Sequence, residues 1–211
     1  MDDIRFASIL CSRLCHDLVS PVGAFANGIE ILNEEKDPQM RQQVLELLEQ
    51  SARQTSNRLQ FFRIAFGAAG GLGEMLDLRE AHKALGSLFA DNNIELDWEP
   101  AAEAHAKDAI KLLLNLALIA GEGLIRGGKL SVRFSGSEDS ISISVTAKGE
   151  RFILQDKARA ALLGELDEAE MDPRTAPVFL AIQLARQMGG TAQMSDCSDT
   201  GITLKATLSA N

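Results

Sequence analysis

The 211-residue sequence predicts an α+β fold, in which an N-terminal antiparallel helical hairpin precedes a two-layer α/β sandwich. Two observations support this prediction. Residues 4–66 place apolar side chains every three or four positions, which is the spacing of amphipathic helices. Beyond residue 75 short alternating segments are mixed with helical ones, which is typical of strands packed against helices. We therefore expect the hairpin at residues 1–68, a linker at 69–74 and the sandwich domain at 75–211.

The first predicted helix covers residues 4–33. Its apolar stripe consists of Leu10, Leu14, Leu18, Val22, Phe25, Ile29 and Leu32. Asp37 and Pro38 then break the pattern, and they suit the N-cap and first turn of a second helix that runs to Phe66. Two helices alone cannot cover both of their apolar faces. Either a second copy covers them in the four-helix bundle of a homodimer, or the C-terminal half packs against them.

The segment after the hairpin, residues 67–73, reads GAAGGLG. A glycine-rich loop of this kind can cradle a phosphate group when a strand precedes it and a Lys-Ser/Thr pair follows it. Neither condition is met here, so the sequence favours a linker.

The elements of the C-terminal domain follow from alternation, helical spacing and turn residues. Strands are predicted at residues 75–78, 94–98, 130–135, 140–147, 191–195 and 201–208. Helices are predicted at residues 79–89, 104–125, 155–164 and 176–188. Gly189 and Gly190 end the last helix, and residues 136–139 form the turn of a β-hairpin.

Composition narrows the class of protein. Hydrophobic residues make up 45% of the chain and the formal net charge is −9, which argues against nucleic acid or an anionic membrane as the main partner. We find neither a signal-peptide pattern nor an apolar segment long enough to span a bilayer. Three cysteines without framework spacing favour a cytoplasmic protein, and Cys11 and Cys15 suit small apolar roles better than a metal site.

The most informative string is HDLVSP, at residues 16–21 of the first helix. On a helical wheel His16 lies about 200° from Leu14, opposite the apolar stripe, and it should face solvent. Its neighbours within about 60° are mostly small, and they would admit another protein closely. These candidate partner-binding residues are Ser12, Val19, Ser20, Gly23 and Asn27.

Histidine is suited to carrying a phosphoryl group, because neutral imidazole is a nucleophile near its ordinary pKa of about 6.5. Asp17 is adjacent and is placed to orient or deprotonate the ring. The alternative interpretation is a surface His–Asp pair without function. However, the whole string resembles the phosphoacceptor box of bacterial sensor histidine kinases, and this resemblance implies that His16 is the phosphoacceptor and Asp17 its assisting carboxylate.

The C-terminal half resembles the ATP-binding (Bergerat) domain of the same kinases in three places, each of which departs from the kinase pattern. The asparagine box begins at Asn115, but Ile119 stands where an asparagine helps to hold Mg²⁺. A strand that should end in Asp-x-Gly ends with Ala147 and Gly149, without the aspartate that reads adenine. The glycine-rich box is replaced by APVF at residues 176–179, which cannot close on phosphate as glycine does. These departures imply an ATPase-like domain without a nucleotide site.

The combination resembles the ChpT-type histidine phosphotransferases of bacterial cell-cycle phosphorelays. The residues that carry this resemblance are LCHDLVSP at positions 14–21 and RIAFGA at positions 63–68. It implies a homodimer that shuttles phosphate through His16, from the receiver domain of a hybrid histidine kinase to response regulators, without ATP. It also implies that the chain binds no cofactor of its own and that Mg²⁺ comes with the receiver domain.

Two other functions stay open from the sequence. One is an ATP-dependent histidine kinase with an atypical nucleotide site, which would bind nucleotide. The other is a non-catalytic adaptor of two-component signalling proteins, which would keep its effect after His16→Ala. Residues 150–175 are rich in charge and suit either a docking surface or a solvated lid.

Overall fold

The computed structural model describes residues 2–67, 75–100, 104–136 and 140–209 of the chain. Helix α1 (Asp3–Glu34) and helix α2 (Pro38–Ala65) form the predicted hairpin. Asp2 caps α1 by accepting the backbone N–H of Arg5. Asp37 caps α2 in the same way, with Pro38 in the first turn as expected.

The two helices of the hairpin approach closely where a glycine faces a leucine. A Cβ atom on Gly28 would lie 2.7 Å from Leu48 Cδ2, so a larger residue there would push the helices apart. Further along, the end of α2 enters the core of the C-terminal domain, where Phe61 and Phe62 are 0% and 4% exposed. The C-terminal half thus covers this end of the hairpin.

The C-terminal domain contains two short strands, β1 (Met75–Asp77) and β3 (Ala104–Ala106), which pair with each other antiparallel. Its longer strands are β2 (Ile94–Pro100), β4 (Gly128–Gly136), β5 (Ser140–Lys148), β6 (Thr191–Ser198) and β7 (Gly201–Ser209). They form a five-stranded mixed sheet in the order β2-β4-β5-β7-β6. Strand β2 runs parallel to β4, and all the other neighbours in this sheet are antiparallel.

Helices cover one face of the sheet. They are α3 (Leu78–Phe89), α4 (Lys107–Glu122), α5 (Asp156–Leu163) and α6 (Ala176–Gln187), with a 3-10 turn at Glu168–Glu170. Strand β4 shows why only one face is covered, because its buried Leu130 and Val132 alternate with the more accessible Lys129 and Ser131. The predicted fold class, a helical hairpin followed by a two-layer α/β sandwich, is confirmed.

Several predicted boundaries were wrong. Residues 104–106 were expected at the start of a helix, but they pair with β1, and α4 begins at Lys107. Its end was placed at residue 125, whereas Gly123 is the C-cap. Strand β6 continues to Ser198 because its pairing with β7 resumes after an irregularity between Met194 and Asp196. The predicted linker at 69–74 and residues 137–139 of the predicted turn lie outside the described residues.

Within the described ranges, no helix is long and apolar enough to cross a membrane. The same residues contain no group of three or more His, Cys, Asp or Glu side chains that could hold a metal ion.

Candidate functional site

The His16 side chain lies on the surface of α1, where it is 64% exposed. Its Nδ1 atom is 2.9 Å from Oδ1 of Asp17, whose side chain is only 15% exposed. A carboxylate can only accept, so this contact places a proton on Nδ1. Nε2 then keeps its lone pair, which is the arrangement that a nucleophilic imidazole needs.

The five candidate partner-binding residues lie along the same stretch of α1. Ser12, Val19, Ser20 and Asn27 are exposed, and Gly23 is half-buried. A Cβ atom on Gly23 would meet nothing within 4 Å, so this position faces open space. The residues around His16 on α1 are therefore mostly small and accessible, as the helical spacing predicts.

The backbone carbonyl of Asp17 is held by a side chain of α2, because Pro21 leaves it without its usual helical partner. The carbonyl of an α-helical residue normally accepts the N–H four residues later, and proline has none. The Asp17 carbonyl instead accepts a hydrogen bond from Nη1 of Arg58, which reaches across from α2. Pro21 of the motif thus leaves the Asp17 carbonyl free to accept a hydrogen bond from α2, and this bond joins the two helices.

Asp17 is also held through its carboxylate. Arg13 lies one helical turn earlier, is 5% exposed, and donates from Nε to Asp17 Oδ2 at 2.7 Å. Its Nη2 atom donates to Oε1 of Glu122, at the end of α4. Burial opposes the charge on Arg13, but Glu122 and Asp17 outweigh this effect and raise the pKa of the guanidinium. Desolvation among the packed helices raises the pKa of Glu122, and Arg13 opposes that rise.

A cleft of about 340 Å³ separates His16 from the C-terminal domain. His16 and Asp17 line it on one side, and Ile119 of α4 lines it on the other. Arg174, just before α6, also lines this cleft and is exposed. A cation therefore shares the cleft with the candidate phosphoacceptor.

Of the four positions matched to a nucleotide site, Asn115 is bonded to the protein itself. It is fully buried, and its Nδ2 donates to the carbonyl of Ala65 at 3.2 Å and to that of Lys111 at 2.8 Å. Among the described residues its Oδ1 finds no hydrogen-bond partner. Asn115 thus fastens α4 to the end of α2, and its matching to the asparagine box of a degenerate site stays a prediction.

The other three positions are apolar or crowded. Ile119 is 7% exposed and Ala147 is fully buried, so neither offers a polar atom of its side chain to a ligand. A Cβ atom on Gly149 would lie 2.6 Å from the Gly127 carbonyl oxygen, which shows that Gly149 is needed for backbone packing.

The turn just before α6, immediately ahead of the positions where the kinase pattern has glycines, is held by a carboxylate of the protein itself. Asp172 Oδ1 accepts the backbone N–H of Arg174 at 3.0 Å and that of Thr175 at 3.1 Å. Lys157 Nζ lies 3.2 Å from the other carboxylate oxygen. Burial acts against the charge on Asp172, but the hydrogen bonds from Lys157 and Thr175 outweigh it and lower the pKa. An internal carboxylate thus takes backbone donors that an anion could otherwise use.

Sequence reasoning missed four charged residues near His16. Arg13 lies four residues before Asp17, which is the spacing of a helical ion pair, and Pro21 marks the carbonyl that Arg58 reaches. Both signals were available in the sequence. Glu122 and Arg174 are more than 100 residues away along the chain, and no local pattern could place them here.

Comparison with known proteins identifies the chain as a histidine phosphotransferase. The family described as "Histidine phosphotransferase C-terminal domain" matches residues 78–199, and the chain belongs to it. Among its relatives is Protein phosphotransferase ChpT of Brucella abortus (strain 2308), which is 37% identical over 186 residues, or 88% of each chain. A solved structure of a bacterial phosphotransferase, 33% identical, superposes with a TM-score of 0.87 and covers 98% of this chain and 97% of its own.

Proposed function

We propose that this protein is a phosphorelay histidine phosphotransferase, which passes a phosphoryl group between the aspartates of receiver domains through His16. The observation that carries the proposal is the exposed imidazole, whose Nδ1 is bonded to the largely buried Asp17 carboxylate. Membership of the phosphotransferase family supports it. The relay would begin at the receiver domain of a hybrid histidine kinase and end at response regulators.

The reaction needs few groups from this chain. The Nε2 lone pair of His16 attacks the phosphorus of the receiver's aspartyl phosphate, and a P–N bond forms while the P–O bond breaks. The receiver's aspartate leaves as a carboxylate. The imidazole is then positively charged until it loses its Nδ1 proton, and Asp17 is the acceptor within hydrogen-bonding distance. Return of the phosphoryl group to a second receiver reverses these steps.

The phosphoryl group comes from a protein and not from ATP in this proposal. Ile119 and Ala147 supply no polar side-chain atom for Mg²⁺ or adenine. Asp172 already accepts two backbone N–H groups in the turn just before α6. The chain accordingly needs no cofactor of its own. The Mg²⁺ that phosphoryl transfer uses would be held by the acidic pocket of the receiver domain.

We further propose that the hairpin pairs with a second copy in a four-helix bundle. The C-terminal domain covers the end of α2, but other apolar side chains of the hairpin stay accessible in the single chain. Val22 and Ile29 are each 52% exposed, and Leu45 and Leu59 are 44% and 49% exposed. A homodimer would bury this stripe and leave His16, on another face of α1, free for the receiver.

The receiver would dock on α1 over Ser12, Val19, Ser20, Gly23 and Asn27. Val19 is 69% exposed and gives this surface an apolar contact beside His16. Arg174, across the cleft, would face the acidic residues that a receiver domain arranges around its phosphorylated aspartate.

The test is to offer the purified protein a receiver domain phosphorylated on its aspartate and to measure acid-labile phosphate on the chain. We expect wild type to be labelled and His16→Ala to stay unlabelled. Incubation with ATP and Mg²⁺ alone should label neither. Labelled His16→Ala would refute the assigned phosphoacceptor, and labelling by ATP alone would indicate a kinase.

A further inference from the structure

One buried cation joins α1 to the end of α4. Arg13 of α1 is 5% exposed and divides its guanidinium between two carboxylates, that of Asp17 on its own helix and that of Glu122 at the end of α4. Glu122 lines the cleft with His16, and its side chain is 43% exposed. The C-terminal domain therefore reaches the candidate phosphoacceptor through three consecutive polar contacts.

The charges of this cluster determine how strongly the Asp17 carboxylate attracts the Nδ1 proton of His16. A guanidinium bound to Asp17 alone would largely neutralise it, because opposite charges in contact at a partly buried site interact strongly. Glu122 takes part of that interaction and adds a second negative charge. The other cations facing the cluster are Arg58 of α2, which donates to the Asp17 backbone carbonyl, and Arg174, which lines the cleft.

The orientation of Asp17 depends on the same contact. Arg13 Nε binds Oδ2 at 2.7 Å, and this leaves Oδ1 directed at His16 Nδ1, 2.9 Å away. A long arginine side chain has many rotamers, and the contact with Glu122 selects one of them. Without it, Arg13 is free to bind Asp17 through other nitrogens and to draw Oδ1 away from the imidazole.

We propose that Glu122 is a positioning residue for phosphoryl transfer, acting through Arg13 to keep the Asp17 carboxylate aimed at His16. This inference rests on the proposed function, in which His16 is the phosphoacceptor. It gives the C-terminal domain a direct part in the chemistry. Removing the charge of Glu122 should slow transfer without loosening the receiver.

The test compares Glu122→Gln with Glu95→Gln. The amide of Glu122→Gln keeps the size and a hydrogen-bond acceptor for Arg13 but loses the charge. Glu95 is the matched control, since its side chain is 74% exposed, lies on β2 away from the cleft and pairs with Lys129 at 3.6 Å. Single-turnover transfer from a phosphorylated receiver is measured over a range of receiver concentrations. Imidazole ¹⁵N NMR of His16 reports the fraction with the proton on Nδ1, and thermal melts confirm that each variant folds.

A positioned proton acceptor contributes about 10²–10⁴-fold to a rate, and partial loss of its orientation should slow transfer about tenfold. For Glu122→Gln we expect this fall in the rate at saturating receiver, an unchanged half-saturating concentration and a smaller Nδ1–H fraction. Glu95→Gln should match wild type in all three. A Glu122→Gln rate equal to that of Glu95→Gln would overturn the inference, and so would an altered half-saturating concentration with an unaltered saturating rate.

The outcomes separate this inference from the proposed function. If wild type accepts phosphate, His16→Ala does not, and Glu122→Gln behaves as the control, only the role of Glu122 fails. If His16→Ala still accepts phosphate, the phosphoacceptor assignment itself fails.

Discussion

The bond between Arg58 and the Asp17 carbonyl predicts a measurable coupling with Pro21. In wild type the carbonyl has no helical N–H to accept, because residue 21 is proline, and Arg58 Nη1 supplies the missing donor. Arg58→Ala leaves this part-buried carbonyl unpaired, at a cost of about 1–3 kcal/mol. In a Pro21→Ala background the N–H of residue 21 becomes available to it, so the same Arg58→Ala change should cost less.

The size of this coupling depends on whether the Asp17 carbonyl has a hydrogen-bond donor in each background. We expect Arg58→Ala to lower the free energy of unfolding by about 2 kcal/mol in wild type. In the Pro21→Ala background about 0.5 kcal/mol should remain, from the lost packing of the arginine stem. The coupling energy is then about 1.5 kcal/mol, which in a chain of this length corresponds to a shift of about 3–6 °C in Tm.

The assay is urea unfolding of the four proteins of this double-mutant cycle, with thermal melts as a second measurement. Arg53→Ala serves as the control, since Arg53 is exposed on the same helix and its removal should cost the same in both backgrounds. If Arg58→Ala costs the same in both backgrounds to within about 0.5 kcal/mol, the assignment of the proline-freed carbonyl to Arg58 is refuted.

Three further predictions concern other parts of the molecule. Ile29→Glu should convert a dimer to a monomer, because Ile29 is 52% exposed in the single chain and lies on its exposed apolar stripe. Light scattering measures the mass of both proteins, and a wild-type monomer would contradict the proposed bundle. Arg174→Glu should raise the half-saturating receiver concentration about tenfold, while the saturating rate stays within about threefold of the wild-type rate. Equal half-saturating concentrations for the variant and wild type would show that Arg174 is not part of the docking surface. Arg133 and Lys129 lower the pKa of Asp97 to about 2, so its contribution to stability is complete above about pH 4 and is lost as the pH falls through about 2. Asp97→Asn should therefore lose less stability than wild type between those pH values in chemical unfolding, and parallel losses would show that the ion pairs contribute nothing.

The sequence predicted most of the fold because the main elements carry strong local signals. Asp37 and Pro38 located the start of α2, and the alternation of Leu130 and Val132 with polar neighbours located β4. Residues 104–106 were misassigned because an alanine-rich segment has no alternating pattern of its own. It becomes a strand only by pairing with residues 75–77, nearly 30 positions earlier.

The candidate site was predictable only where it lies on one helix. His16 and its exposed neighbours share α1, so helical geometry alone was enough to place them on the surface, whereas the Asp17 side chain is only 15% exposed. Glu122 reaches Arg13 across 109 residues of chain, and that contact depends on how α4 packs against the hairpin. The hydrogen bond from Asn115 to the carbonyl of Ala65, which joins α4 to α2, depends on the same packing and has no local signal in the sequence.

The carboxylate of Asp172 joins two segments of the C-terminal domain. Lys157 of α5 lies against one of its oxygens, and the other accepts the N–H groups of Arg174 and Thr175. Arg174 also lines the cleft beside His16. The shape of the turn that brings this arginine to the cleft therefore depends on a lysine and a carboxylate that lie outside it.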